Sequence, residues 1–172
     1  MSVDVPRLET PRLILRAFTP ADVEPYVRML ADPEVARFLG DGQPLDRVDA
    51  WRQLAMLIGH WELRGFGLWA VEERSSGRLL GRIGCHEPEG WPGFELGYAL
   101  ARDAWGQGYA REGAAASLDH ARRVLRRQTI ISLIRPANRA SIAVAEHFGA
   151  RRTGSVEFFG APTEVYTYPL SG

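Results

Sequence analysis

LARDAWGQGYAR, Leu100 to Arg111, closes a strand, turns on a Gly-x-Gly loop and opens a helix at once. Gly106 and Gly108 let the backbone turn with its N–H groups facing outward. The new helix leaves its first four N–H groups unpaired and adds a partial positive charge. Together these features make a site for a phosphate or pyrophosphate. A Walker loop would continue Gly-Lys-Ser/Thr, but Tyr109 follows Gly108. A dinucleotide fingerprint needs a third glycine where Arg111 stands, and an acidic residue after a following strand that is not found here. Taken alone, the loop is also compatible with a plain strand-to-helix turn that uses two glycines.

Upstream, Arg12 to Phe18 reads as a first strand, and Thr19-Pro20-x-Asp22 as a helix cap. That helix runs to about Leu30, with Asp32-Pro33 as punctuation. Asp46 caps a second helix, which ends before Gly65. Val48, Trp51, Leu54, Ile58 and Trp61 form its apolar stripe. Trp51, Trp61 and Trp69 are assigned to core packing. Leu68–Glu72 and Leu79–Cys85 are strands joined by a Ser75-Ser76-Gly77 turn, and Phe94–Leu100 is a third. Downstream of the glycine loop come a helix from about Tyr109 to Leu125 and a β-branched strand at Thr129–Ile134. A short helix capped by Asn138 and stopped by Gly149 follows, then closing strands at Ser155–Phe159 and Val165–Leu170. The order predicts an α/β domain around one mixed, largely antiparallel sheet.

The chain has 172 residues, the length of one domain, and 1–172 is expected to fold as one unit. Such a length buries a core without a disulfide or metal staple, and no metal-binding cluster is expected. Lys plus Arg and Asp plus Glu both number 21, which argues against a broad affinity for nucleic acid. Cys85 is the one cysteine, so no intramolecular disulfide forms, and a reducing compartment fits. Met1 to Pro6 shows no secretory pattern, and no apolar run approaches the ~18 residues of a membrane span. The expectation is a cytoplasmic protein.

Trp105-Gly106-Gln107-Gly108-Tyr109-Ala110 resembles the acyl-CoA pyrophosphate loop of the GCN5-related N-acetyltransferases, the GNAT superfamily, whose motif is Gln/Arg-x-x-Gly-x-Gly/Ala. Trp105 departs from that first position, as is familiar in the RimJ/RimL-like branch. Three further stretches resemble the same branch in its order and spacing: Leu8-Glu9-Thr10-Pro11-Arg12-Leu13, Phe94-Glu95-Leu96-Gly97-Tyr98, and Asn138 to Ser141 with Phe148-Gly149 beyond. The resemblance implies a GNAT fold: a mostly antiparallel sheet of six to seven strands, about four helices, and a splay between Phe94–Leu100 and Thr129–Ile134. It implies acetyl-CoA as co-substrate, an amine as acceptor and direct attack on the thioester.

By that resemblance the cofactor site comprises Tyr98, Ala99 and Leu100 for the pantetheine arm and thioester carbonyl, Trp105 to Ala110 for the pyrophosphate, and Asn138 and Ser141 near the pantetheine and sulfur. Strand alternation sets Glu95, Gly97 and Ala99 on one face, a carboxylate beside two small residues. Glu95 is the first candidate for general base; its other reading is a structural carboxylate paired with an arginine such as Arg82. Glu157 and Glu164 are weaker candidates. Ser141 is the candidate acid, with Tyr98 and Tyr166 in reserve, and Asn138 can also simply cap its helix. His86 and His147 have no partner evident in the sequence. Cys85 reads as a small strand residue, and Trp91 as a loop residue bordering the acceptor.

The expected acceptor is an α-amine, on a protein N-terminus or a free amino acid. A polyamine or aminoglycoside acceptor, or a sensor that binds acyl-CoA without turnover, are the alternatives. Neither nucleic acid nor membrane is expected as a partner, and the chain is expected to be a monomer or homodimer.

Overall fold

The computed structural model describes residues 3–169. Its elements are β1 (Leu8–Glu9), β2 (Leu13–Arg16), α1 (Val23–Ala31), α2 (Pro33–Ala36), α3 (Arg47–Arg64), β3 (Leu68–Glu73), β4 (Leu79–His86), β5 (Glu95–Leu100), α4 (Tyr109–Arg123), β6 (Ile131–Ile134), α5 (Arg139–His147), β7 (Arg151–Phe158) and β8 (Ala161–Thr167). The strands form one eight-stranded sheet in the order β1-β2-β3-β4-β5-β6-β8-β7. Neighbours are antiparallel except β5 and β6. The α/β architecture is as expected, with one strand more than the upper estimate. The addition is the two-residue β1, which pairs Leu8 with Leu15 and Glu9 with Ile14. The fifth helix is α2, where Asp32 accepts from the Glu34 N–H and Pro33 takes the first helical position. The dipeptide that reads as punctuation is thus a cap and a restart. The last residue of the expected closing strand, Leu170, lies outside the described residues.

Each sheet face has its own helices. Leu13, Leu15, Val71, Ile83 and Leu96 pack with Ala114, Leu118 and Ala121 of α4 and Ile142 and Ala145 of α5. Gly113 lets α4 lie close to the sheet, since a Cβ there would stand 3.0 Å from Ile83 Cδ1. On the other face Leu68 and Ala99 meet Tyr26, Met29 and Leu30 of α1 and Leu54 and Leu57 of α3. α3 corrects the expected stripe. Leu54 and Trp61 are buried, but Val48, Trp51 and Ile58 are about half exposed, and the buried face runs through Ala50, Leu54, Leu57 and Trp61. Apolar residues cover more of α3 than its contact with the sheet and α1 requires, so spacing alone does not choose the buried face. Trp51 therefore leaves the core list. Trp61 and Trp69 remain in it, with ring centroids 5.1 Å apart and indole N–H groups donating to the Leu68 and Pro6 carbonyls.

One cross-strand row on the α1/α3 face runs Arg16, Ala70, Arg82, Ala99 through β2, β3, β4 and β5. Arg16 closes on two carboxylates, Asp22 at 2.8 Å and Glu72 at 2.6 Å. Burial alone would raise the Asp22 carboxyl, but hydrogen bonds from Arg16 and Thr19 hold it below its ordinary value. Asp22 also accepts from the Thr19 N–H, the expected cap ahead of α1.

Candidate active site

β5 and β6 share a single register pair, Glu95 with Ile131. The Ile131 N–H donates to Phe94 O, and two residues on the Leu133 N–H donates over 3.3 Å to the Glu95 side chain at Oε1. A carboxylate thus stands where the ladder stops, and the strands part beyond it. The expected strands, Phe94–Leu100 and Thr129–Ile134, begin a residue or two early. Pairing starts at Glu95 and Ile131.

Backbone alternation decides which groups face the opening. Ala101 N–H bonds β4 at Leu80 O, whereas Phe94 O bonds β6, so even-numbered β5 residues turn their main chain toward β6. Leu96 O accepts from Ser132 Oγ at 2.7 Å, and Leu100 O accepts from Trp105 Nε1 at 2.9 Å. Between them the Tyr98 main chain faces the gap. Ala99 pairs instead with Arg82 on β4 and buries its methyl against α1 and α3. Of the expected Tyr98–Leu100 stretch, Ala99 therefore drops out, and the Leu100 carbonyl is already engaged. Trp105 opens the loop, and its indole N–H is spent on that carbonyl.

At the far end of β5, Gly106 and Gly108 both have positive φ, +72° and +82°. The first helical bond of α4 runs from Glu112 N–H to Gly108 O. The amides of Tyr109, Ala110 and Arg111 precede it and are free of the helical ladder. Gln107 turns its side chain back, Nε2 donating to Asp103 O. Arg12 is a residue the sequence did not assign here. It donates to Gln107 O at 2.8 Å, lies 4.5 Å over the Tyr109 ring and is fixed by Glu112 at 2.7 Å. A cation thus braces the loop that exposes these amides, an arrangement that fits a pyrophosphate.

A cavity of ≈ 170 Å³ runs from the parted strands to the α1/α3 side, and Tyr98, Asn138, Ser141, Glu95 and Trp91 all line it. Tyr98 OH donates to Ser141 Oγ at 3.2 Å, joining the two candidate acids. Burial raises the Tyr98 phenol above its ordinary value. Asn138 Oδ1 accepts from the Ser141 N–H, so it does cap α5.

Glu95 is 8% exposed and has no arginine partner among the described residues. Arg82, the partner considered from sequence, sits opposite Ala99; His86 is the residue opposite Glu95. His86 Nε2 donates to Glu95 Oε2 at 3.0 Å, and Trp91 Nε1 donates to the same oxygen at 2.6 Å. His86 Nδ1 is buried with no partner among the described residues. Oε2 is saturated by two donors, while Oε1 has only the long Leu133 contact. A Cβ at Gly97 would lie 3.7 Å from Oε1, so the missing side chain leaves room beside that oxygen. Sequence reasoning missed the His86–Glu95 pair. Its signal was the antiparallel register of the two strands, which aligns residues nine apart. His60 sits behind the pair, its Nδ1–H donating to Phe66 O and its Nε2 accepting from the Glu87 N–H. Burial first, with the neighbouring His86, holds the His60 imidazole below its ordinary value.

The remaining candidates lie elsewhere. Glu157 is exposed, Glu164 pairs with Arg152 at 2.9 Å, and Tyr166 OH donates to Glu164. His147 is exposed. Cys85 is buried in the α4-side core, and burial pushes its thiol far above the ordinary range. Trp91 packs edge-on against Phe158, with centroids 4.7 Å apart, at the cavity mouth. Among the described residues no group of His, Cys, Asp and Glu is placed to hold a metal ion, and no helix is long and apolar enough to cross a membrane.

The family model of the acetyltransferase (GNAT) domain matches residues 12–151. The uncharacterized protein YkkB of Bacillus subtilis is 30% identical over 168 residues, covering 93% of this chain and 94% of that protein. The crystal structure of an acetyltransferase from Agrobacterium tumefaciens superposes with a TM-score of 0.87 at 31% identity, over 98% of this chain and 97% of the other. RimL, a ribosomal L7/L12 α-N-protein acetyltransferase in complex with coenzyme A, shares the fold at 19% identity, with a TM-score of 0.76 over 95% and 96% of the two chains.

Proposed function

The chain belongs to the GNAT acetyltransferase family, and from that premise we propose that it moves an acetyl group from acetyl-CoA to a primary amine held over Gly97. One observation carries this reading: the strands part at Glu95, whose less-occupied oxygen faces the space that Gly97 leaves open. The amides at the start of α4, the Tyr98 main chain and the Asn138–Ser141 turn would hold acetyl-CoA, as expected from the sequence. Coenzyme A in the RimL structure supports a CoA site in this fold.

Acetyl-CoA supplies the acetyl thioester. The rest falls to the chain. Glu95 Oε1 takes a proton from the acceptor amine, directly or through one water, while Trp91 and His86 fix the carboxylate in place. Ser141 Oγ, backed by the Tyr98 hydroxyl, gives a proton to the departing thiolate. Thiols have a reference pKa of ~8.5, so this second transfer needs only modest help.

The preferred acceptor is an α-amine. Its reference pKa of ~7.7–8.0 leaves roughly one molecule in ten neutral at pH 7, whereas a lysine side chain at ~10.4 loses about 2.5 further pKa units, near 3.4 kcal/mol. A site with one carboxylate base favours the amine that is easier to deprotonate. The test is CoA release from acetyl-CoA with two matched peptides, one with only its α-amine free and one with only a lysine ε-amine free. Faster release with the α-amine peptide is expected, and Glu95→Gln should cut that rate by ~10²–10⁴ while leaving acetyl-CoA affinity in place. Faster release with the lysine peptide, or an unchanged pH–rate profile in the variant, sinks the assignment.

A further inference from the structure

We propose that the acceptor carries a carboxylate and that Arg82 binds it. This inference rests on the reading of Gly97 and Glu95 as the amine subsite, and it names what lies at the other end of the same cavity. Arg82 is 9% exposed and lines that cavity. An arginine guanidinium is a permanent cation. The hydrogen-bond partners of Arg82 are neutral: Nη1 donates to Tyr26 OH and to Gln53 Oε1, each at 2.8 Å. Neither partner is an anion, because burial raises the Tyr26 phenol and Gln53 does not ionise. Among the described residues Arg82 has no carboxylate within ion-pair distance, its Nε is buried without a partner, and Nη2 has no hydrogen bond. The two nitrogens left over share one edge of the guanidinium, the edge that takes both oxygens of a carboxylate in a bidentate pair.

A buried cation without an anion is costly unless something completes it. Arg16, two strands away in the same row, shows the completed form with Asp22 and Glu72. The charges lining the cavity point the same way. Arg82 and Arg135 are both there, and Glu95 is the one carboxylate lining it. Arg135 is only half-buried and donates from each terminal nitrogen, to Thr163 Oγ1 and Gly40 O, whereas Arg82 is the more deeply buried of the two and holds a sealed, unpartnered Nε.

The floor between the two ends is bare. In register, His86 faces Glu95, Gly84 faces Gly97 and Arg82 faces Ala99. The pairs in between turn to the opposite face. Four residues of strand separate the two ends, ~13 Å along the backbone at ~3.3 Å per residue. The long side chain of Arg82 shortens that span. A molecule whose amine sits over Gly97 therefore presents its anion several bonds away, about a dipeptide's length. Two sources supply this chemistry: the terminal carboxylate of a free dipeptide, or an acidic side chain at the second position of a longer peptide.

The test compares acids with their neutral amides in the parent protein, so it does not depend on a variant folding. Glycylglycine is set against glycylglycinamide, and Gly-Glu-amide against Gly-Gln-amide. A charge-assisted bidentate pair should lower KM for the acid by ~10–100-fold in at least one of the two comparisons. Preference in the first pair assigns the terminal carboxylate, and preference in the second the side chain. Arg82→Met should erase the preference, and Arg82→Lys should restore part of it, without moving the Kd for acetyl-CoA. Equal KM values within both pairs overturn the proposal. A binding arm separates this from the catalytic reading: N-acetylglycylglycine and its amide are titrated by calorimetry into the protein with CoA. A parent that prefers the acid but acetylates nothing loses the amine-transfer assignment and keeps the carboxylate site. A parent that acetylates amines with no preference for acid in either readout loses the carboxylate site alone.

Discussion

Arg16 and Arg82 occupy one cross-strand row, separated by Ala70, on the same face of the sheet. Both are largely sheltered from solvent, yet they are completed differently. Arg16 meets Asp22 and Glu72, one anchored in the turn before α1 and the other on β3, so it ties the edge of the sheet to the first helix. Among the described residues Arg82 hydrogen-bonds Tyr26 and Gln53, and it lines a cavity. The same side chain is a joint in one position and an open donor in the other. The difference lies in the partners, which a one-residue reading of the sequence does not reveal.

The largest effect that would sharpen this contrast is on stability. Arg16→Met leaves Asp22 buried with its cation gone, and breaking such a pair typically costs ~3–5 kcal/mol. Urea denaturation should show that loss. A change under 1 kcal/mol would mean that Arg16 is no more a joint than Arg82.

Acid provides the next test. Burial holds the His60 and His120 imidazoles below their ordinary value. The unfolded chain therefore binds protons first, and stability should decline as pH falls below ~6.5. A second decline belongs below ~4, where unfolded aspartate takes a proton that folded Asp22, held low by Arg16, refuses. Arg16→Met should remove the Asp22 part of that second step and spare the first. A melting-temperature series from pH 7.5 to 3 reads both, and an unaltered second step in the variant would break the assignment.

A smaller effect should follow at Gly97. A methyl there makes ordinary contacts of 3.7 Å with Glu95 and His86, so Gly97→Ala should fold normally. It narrows the floor between Arg82 and Glu95, and KM for the amine should rise several-fold with the Kd for acetyl-CoA unmoved. An unchanged KM would place the amine elsewhere. The smallest effect is on the stability of Arg82→Met. Replacing a buried cation that has no anion by an apolar side chain should leave Tm unchanged or raise it, where Arg16→Met lowers it.

The half of the candidate site that rests on backbone is local in the sequence. Gly106, Gly108 and the start of α4 form a local motif, and local motifs appear in linear order. The order of elements along the chain followed from residue patterns, and the parting of β5 from β6 from the family resemblance. What stayed hidden depends on register or on distant elements. His86 meets Glu95 because two antiparallel strands align residues nine apart, and Arg12 reaches Gln107 across 95 positions of chain. Trp51 was misplaced because α3 carries apolar residues on more faces than its neighbours cover. Leu8–Glu9 gave no strand signal because two residues are too few for a period.

The single register pair between β5 and β6 has a mechanical consequence. Five strands lie to one side of it and three to the other, and at this seam the ladder stops after one pair and passes to a side chain at Leu133. The sheet is therefore stiff within each part and compliant between them. The proposed base sits at that seam itself, where the main-chain ladder hands over to its own side chain.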